Sequence, residues 1–385
     1  MIERYILLSL WSMTPDSTSV AAETPTTVVA NMLDINKIID SVSQNELISD
    51  IHMSAEHYIS YRINGEIVPQ TDLGIVSAEF MELTLKHLTK SDSDRMAKFW
   101  AQKDMDFAYL AKSGLSYRVN AFMKLGKVAV VMRKINAQAK GLEELIYSDI
   151  ADSIKKNVLG RKTGLFLVTW PTGSGKSTSL VAMLDYLNHQ QNAHMITIED
   201  PIEFIFKPDK CLISQREVGN DTRSFANALK SAMREDPNII FVGEIRDLET
   251  AEAALNMAET GHLVFSTLHT SSASATINRY ISLFPPEIQD SISDRLADSL
   301  SGVLSQFLVK TSDKKSRIWL YELMINTTSV RNNIRKREIK QIDNIIETSS
   351  AQGMISMKAY AQRLINQWLI TEDNVARLLD SVVGQ

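Results

Sequence analysis

The chain has 385 residues, 44% hydrophobic and 23% charged, and 41 Lys+Arg against 46 Asp+Glu give a formal net charge of −5. That length accommodates two or three domains, each with its own core, and the mild acidity argues against a chain-wide polyanion binder. No apolar run approaches the roughly 20 residues of a membrane helix, and the single cysteine, Cys211, excludes an internal disulfide framework and a cysteine-based zinc site.

Residues 1–33 read as a variable tail. Tyr5–Trp11 is apolar and Val20-Ala-Ala-Glu23 has the small residues of a cleavage site, but Glu3 stands where a signal peptide carries positive charge. Thr14–Thr27, rich in Ser, Thr, Pro and Ala, has the composition of a linker. A reducing, cytosolic location is expected.

Residues 34–135 carry the signals of a small α+β domain. Tyr58–Ile63, Asn64-Gly65 and Glu66–Val68 predict a hairpin with a type I′ turn, with Ile59, Tyr61 and Ile63 on one face. Ala78–Leu88 has helical spacing behind Ser77, a residue suited to the N-cap. Three alternating runs follow at Asp106–Ala111, Leu115–Met123 and Val128–Ile135, separated by Ser113-Gly114 and Leu125-Gly126. They predict an antiparallel meander packed by one or two helices.

Residues 136–141 read as a linker, and from 142 to 385 strands alternate with helices, as in a mostly parallel sheet covered by helices. Strands are predicted at Leu165–Thr169, Met195–Ile198, Ile239–Val242 and Leu263–Leu268. Helices are predicted at Ser177–Gln190, Ser224–Glu235 and Leu248–Glu259. Beyond Glu287 the pattern is mainly helical, with one further strand at Ile318–Met324.

The chemistry concentrates after those strands. Leu165–Thr178 runs from an apolar strand through Trp170-Pro171-Thr172-Gly173-Ser174-Gly175 into Lys176-Ser177-Thr178, the context of a phosphate-binding loop. The amides of Gly173 to Thr178 would present positive ends to phosphates, Lys176 adds a charge, and the Ser177 hydroxyl suits Mg²⁺. Trp170 stands where the pattern has its first glycine. Its ring either lies aside and leaves the loop intact or distorts the loop and weakens nucleotide binding.

Thr197–Phe204 places Glu199, Asp200 and Glu203 past a strand end, where carboxylates hold a metal-bound water or activate the attacking one. Asn238–Asp247 is a buried-strand pattern ending at Glu244, the Walker B position where Asp is more usual. Gly261–Thr270 carries His262 and His269, whose odd spacing on a strand argues against joint metal ligation. His269 at the carboxyl end suits a sensor of the terminal phosphate, and His262 a structural hydrogen bond.

These four boxes, in this order, resemble the type II and type IV secretion ATPase superfamily, and within it the twitching-motility PilT family of pilus retraction ATPases. Ser49–Met53, Tyr117–Phe122, Gln215–Gly219, Arg234–Pro237 and Arg246–Thr250 resemble further segments of that family. Ser329–Arg335 resembles its late helix, with Asn333 in place of an apolar residue. The resemblance implies an α/β protein with a RecA-like P-loop core, an N-terminal PAS-like domain and C-terminal helices. It implies a homohexamer, with or without a paralogous motor, binding ATP and Mg²⁺ between domains.

Carried over by position, Lys176 and Ser177 bind phosphate and metal, Glu203 activates water, Glu244 holds the metal shell and His269 contacts the terminal phosphate region. Arg118 and Arg133, on strands of the first domain, are candidates for charge stabilisation. The implied partner is a pilus platform protein at the inner membrane, approached peripherally from the cytoplasm, with no nucleic acid and no membrane insertion. Retraction fits better than extension, because the chain lacks the length and cysteines of a zinc-bearing extension motor. Arg335, Lys336, Arg337 and Lys340 form either a local basic face or a solvated helix. A weakly or non-hydrolysing nucleotide-binding accessory subunit of a retraction motor is the competing reading, kept open by Trp170. A RecA-like nucleic-acid translocase is disfavoured by the acidic balance.

Overall fold

The computed structural model describes residues 34–45, 47–63, 65–135, 139–169, 176–313 and 316–375. The first half contains helix α1 (Ile35–Ser43), strands β1 (Ile48–Ser54), β2 (Ser60–Ile63) and β3 (Glu66–Pro69), and helices α2 (Ala78–Leu88) and α3 (Ser93–Gln102). Strands β4 (Asp104–Leu110), β5 (Ser116–Lys124) and β6 (Lys127–Lys134) complete it. The strands pair antiparallel throughout, in the order β3-β2-β1-β6-β5-β4. Period-two alternation turns Ile51, Met53, Phe107, Val119, Val130 and Met132 onto a buried face, where Met81, Leu85 and Phe99 of the helices meet them.

The expected helix is present with Ser77 as its cap, the Ser77 hydroxyl accepting from the Phe80 N–H at 3.1 Å. The expected hairpin and meander are present too, with Asn64 outside the described residues. Their connection was not foreseen. Strand β1, the Ser49–Met53 segment, joins the hairpin to the meander by pairing with β2 and β6 together.

The outer face of this sheet carries a row of charge. Asp50 of β1 stands in register with Arg62 of β2 on one side and Arg133 of β6 on the other, and Arg133 is in register with Arg118 of β5. Residues paired across strands share a face, so four charged side chains line up across the sheet.

The second half contains α4 (Leu142–Leu145), α5 (Ser148–Ile154), β7 (Gly164–Thr169), α6 (Lys176–Gln190), β8 (His194–Glu199) and β9 (Leu212–Glu217). There follow α7 (Phe225–Ala232), β10 (Ile239–Val242), α8 (Leu248–Glu259), β11 (Leu263–Leu268) and α9 (Ala273–Ile281). It ends with α10 (Gln289–Ser299), β12 (Leu300–Lys310), β13 (Arg317–Ile325), α11 (Thr328–Arg335), α12 (Gln341–Thr348) and α13 (Met357–Asn366).

The second sheet has the order β13-β12-β7-β11-β10-β8-β9 and is parallel except for β13. Every residue of β7, β10 and β11 is buried, as strands covered by helices on both faces require.

Beyond Glu287 the described residues hold four α-helices, as expected, but two strands where one was expected. β12 is an eleven-residue strand that follows α10 without a loop and lies beside β7. Covered on both faces, its Leu-Ser-Gly-Val-Leu-Ser-Gln run has no need to alternate, so it showed no strand period. β9 was missed as well; it is the edge of this sheet. At Gly302 the β12–β13 pair leaves no room for a side chain, since a Cβ there would stand 2.5 Å from the Met324 carbonyl oxygen. Asn326 closes the α10–β12 junction, its side-chain amide donating to the carbonyls of Ala297 (2.8 Å) and Leu300 (2.7 Å). Among the described residues no helix is long and apolar enough to cross a membrane.

Candidate nucleotide site

Strand β7 ends at Thr169, and α6 opens at Lys176, so the intervening loop leaves the carboxyl edge of the parallel sheet at its interior. In open α/β sheets this edge is where ligands bind. The loop residues Trp170, Pro171, Thr172, Gly173, Ser174 and Gly175 lie outside the described residues, as do the side chains of Lys176 and Ser177.

Thr178 and Val181, one turn apart on α6, border a cavity of about 540 Å³, a size within the range of small-ligand sites. Glu203 and Phe204, from the turn after β8, form a second wall. Arg118, Arg133, Lys134 and Ile135 come from the first sheet, and Ala139, Lys140 and Trp319 close the remainder. The cavity therefore lies between the two sheets, and four of the residues singled out in the sequence meet in it: Arg118, Arg133, Thr178 and Glu203.

Two members of the first sheet's charged row, Arg118 and Arg133, border this space. The Arg133 Nε donates to Asp50 Oδ1 at 2.8 Å, and Arg62 Nε lies 3.5 Å from Oδ2. Asp50 is 2% exposed. Burial alone would raise its carboxyl, but hydrogen bonds from Ser49 and Arg133 and the two guanidinium charges outweigh it and hold the group below its usual value. Arg133 is thus anchored at one edge by an ionised partner while its side chain borders the cavity.

The Glu203 turn is held from beneath by Glu199, the last residue of β8 and almost fully buried. Glu199 accepts from the Thr197 hydroxyl (2.6 Å), Gln215 Nε2 (3.3 Å) and the Glu203 N–H (3.5 Å). Burial pushes its carboxyl up to about 7 despite those bonds. Sequence reading placed Glu199 with Asp200 and Glu203 as one acidic group. The structure separates them into a buried support and an exposed carboxylate that borders the cavity.

A second cluster stands at the ends of β10 and β11. Glu244 pairs with Arg246 and, at 3.4 Å, with His269 Nε2. Neither Glu244 nor His269 borders the cavity described above. His262 and His269 flank β11 rather than lying within it, at opposite ends. His262 Nδ1 contacts the Met257 carbonyl oxygen at 2.9 Å and the Thr260 hydroxyl at 3.3 Å, a structural role.

Sequence reading missed a buried hydroxyl chain between these elements. Thr270, next to His269, meets Thr276 of α9 at 2.7 Å; Thr276 meets Thr169 at the end of β7 at 3.3 Å; Thr169 meets Ser305 of β12 at 3.2 Å. The available signal was the polar residue ending the apolar run of β7. The two sheets also touch at Glu217 of β9, which accepts from the N–H groups of Ala108 (3.4 Å) and Ile202 (3.1 Å).

Among the described residues no group of three or more His, Cys, Asp or Glu side chains could hold a metal alone. Hard oxygen donors are nonetheless at hand in Glu203 and Glu244, the chemistry Mg²⁺ uses when a phosphate ligand and water fill most of its shell.

A strand–loop–helix unit inside a parallel sheet, with carboxylates at the neighbouring strand ends, defines a nucleotide-binding enzyme of the RecA-like P-loop class. The sequence matches the type II/IV secretion system protein family over residues 25–383. It is 44% identical over 291 residues to a twitching motility protein of Neisseria gonorrhoeae, covering 75% of this chain and 77% of that one. It is 39% identical over 347 residues to the type IV pilus retraction ATPase PilT of Pseudomonas aeruginosa, covering 89% and 97%. The crystal structure of the pilus retraction motor PilT with bound ADP is similar at a TM-score of 0.80 and 38% identity, covering 89% of this chain and 96% of that one. The chain belongs to the PilT family of type II/IV secretion ATPases and is an ATPase.

Proposed function

We propose that the protein is a motor that hydrolyses Mg-ATP to retract a type IV pilus, working as a homohexamer at the cytoplasmic side of the pilus base. The observation that carries this reading is the cavity where Arg118 and Arg133 from one sheet face Thr178 and Glu203 from the other. A site divided between two bodies converts a change of ligand charge into relative movement, which a motor needs.

In this reading the amides of Gly173 to Thr178, with Pro171 and Thr172 shaping the loop, cradle the phosphates, and Lys176 adds a point charge. Ser177 and Glu244 would hold Mg²⁺ and its water shell; the ion supplies positive charge that neutralises the phosphates. Glu203 orients the attacking water and accepts its proton. His269, held by Glu244, contacts the terminal phosphate region, and Arg118 and Arg133 stabilise the charge that develops there. Residues 34–135 form the PAS-like domain, 136–141 the linker and 142–385 the RecA-like motor, following the tail at 1–33. An inner-membrane platform protein of the pilus is the partner, without nucleic acid.

The test is steady-state turnover with saturating Mg-ATP. Glu203→Gln is expected to lower kcat by about 100-fold or more while leaving nucleotide affinity intact. A parent protein that binds nucleotide but does not turn over would overturn the motor reading in favour of an accessory subunit. Recovery of activity by Trp170→Gly would then locate the defect in the phosphate loop.

A further inference from the structure

We propose that Trp319 is the nucleobase-recognising residue of this cavity, stacking its indole on the base of the bound nucleotide. The inference rests on the nucleotide reading above and goes further by assigning the part of the cavity that reads the base.

The placement follows from register. Ser305 of β12 is level with Thr169, the end of the strand that feeds the phosphate loop. On the other edge of β12, Leu308 is level with Trp319. Trp319 therefore stands three residues beyond the carboxyl end of β7, about 10 Å at strand spacing. The face follows from alternation. Tyr321, two residues along β13, reaches the first turn of α6, its hydroxyl 3.2 Å from Ser179 Oγ. Trp319 shares that face and borders the cavity with Thr178 and Val181 of the same helix. A nucleotide whose phosphates lie at the α6 N-terminus extends its base along this face, past the carboxyl end of β7.

The chemistry of the surroundings suits a base rather than more phosphate. Ile135, Ala139, Val181 and Phe204 supply apolar surface, in contrast to the arginines and Glu203. Lys140 Nζ lies 5.8 Å from the Trp319 ring centroid and steadies the ring by a cation–π contact. The indole is half-buried, and its Nε1–H is buried without a hydrogen-bond partner among the described residues. That buried, in-plane N–H is out of reach of a base stacked on the ring face, so the contact the indole offers a base is its π-face. Aromatic rings at such positions favour bases in general, because every base offers a π-face.

The experiment compares ligands with and without a base. Calorimetric titration of the full chain with Mg-ADP and with inorganic tripolyphosphate should show Trp319→Ala weakening ADP by about tenfold or more and leaving tripolyphosphate unchanged. Trp319→Phe should keep most of the ADP affinity by retaining an aromatic face. Trp319→Leu, which preserves apolar packing, should lose ADP affinity as the Ala variant does, and it serves as the test should Trp319→Ala not fold. Equal weakening of both ligands, or full ADP affinity in the Leu variant, overturns the proposal while leaving the nucleotide reading in place. A parent chain that binds tripolyphosphate but not ADP overturns the nucleotide reading itself, and this assignment with it.

Discussion

The two sheets use charge in opposite ways. The first is antiparallel and packs its helices on one face, so its other face is free to carry Arg62, Asp50, Arg133 and Arg118 side by side across four strands. The second is parallel through β12, β7, β11, β10, β8 and β9 and covered on both faces; its central strands bury every residue and its chemistry is pushed to the strand ends. An antiparallel sheet can present a functional surface, whereas a buried parallel sheet presents a functional edge. The cavity forms where that surface meets that edge.

The contrast can be broken most severely in the parallel sheet. Gly302→Val should cost about 3 kcal/mol or more, because the side chain must enter space held by the Met324 carbonyl oxygen and the Phe166 ring; urea unfolding measures it, and an unchanged midpoint would show that β12 and β13 can separate cheaply. Next in size is the pH response of Glu199. Its folded carboxyl keeps a proton up to about pH 7, while the unfolded one releases it near 4.5. The folded state therefore binds more protons in that window, so its contribution to stability falls as pH rises from about 4.5 to 7 and is level above. Glu199→Gln should remove up to about 3 kcal/mol of that decline between pH 5 and pH 8. An identical decline in the variant would place the titration elsewhere.

On the antiparallel side, Arg133→Ala should lower kcat by about 100-fold, as expected for loss of a charge-stabilising group, whereas Arg62→Ala, at the far side of Asp50, should leave turnover within about threefold of the parent enzyme. Equal losses would mean that the row acts as a structural unit and has no cavity-facing end. The smallest effect is expected at the hydroxyl chain. Thr276→Val should cost about 1 kcal/mol in stability and slow turnover only modestly, with Thr276→Ser restoring both; a Ser variant as impaired as Val would assign the loss to packing.

Much of this was legible in the sequence, for reasons that differ by region. β7, β10 and β11 announced themselves as continuous apolar runs, and the hairpin and meander as alternation broken by turn residues. Gly173-Ser174-Gly175-Lys176-Ser177 and the Glu203, Glu244 and His269 positions stood out as polar or glycine-rich sequence just past apolar runs, where open α/β sheets place their ligands. β12 was not, since a strand covered on both faces by small and large residues has no period to detect. The Arg62–Asp50–Arg133–Arg118 row was hidden for another reason: each strand shows its own alternation but not the register of its neighbour, and only register makes those four residues a row. Glu199 and Glu203 look equivalent four positions apart, and only the depth of β8's end separates the buried support from the exposed carboxylate.

The junction of α10 and β12 has a mechanical consequence. Asp298, in the last turn of α10, pairs with Arg335 of α11, and Asp290, in its first, pairs with Arg337. The helix then becomes β12 with no intervening loop and with Asn326 pinning the joint. The ion pairs of Arg335 and Arg337 are thus tied through α10 to the strand beside β7, at the level of Leu165, the end of β7 away from its carboxyl edge.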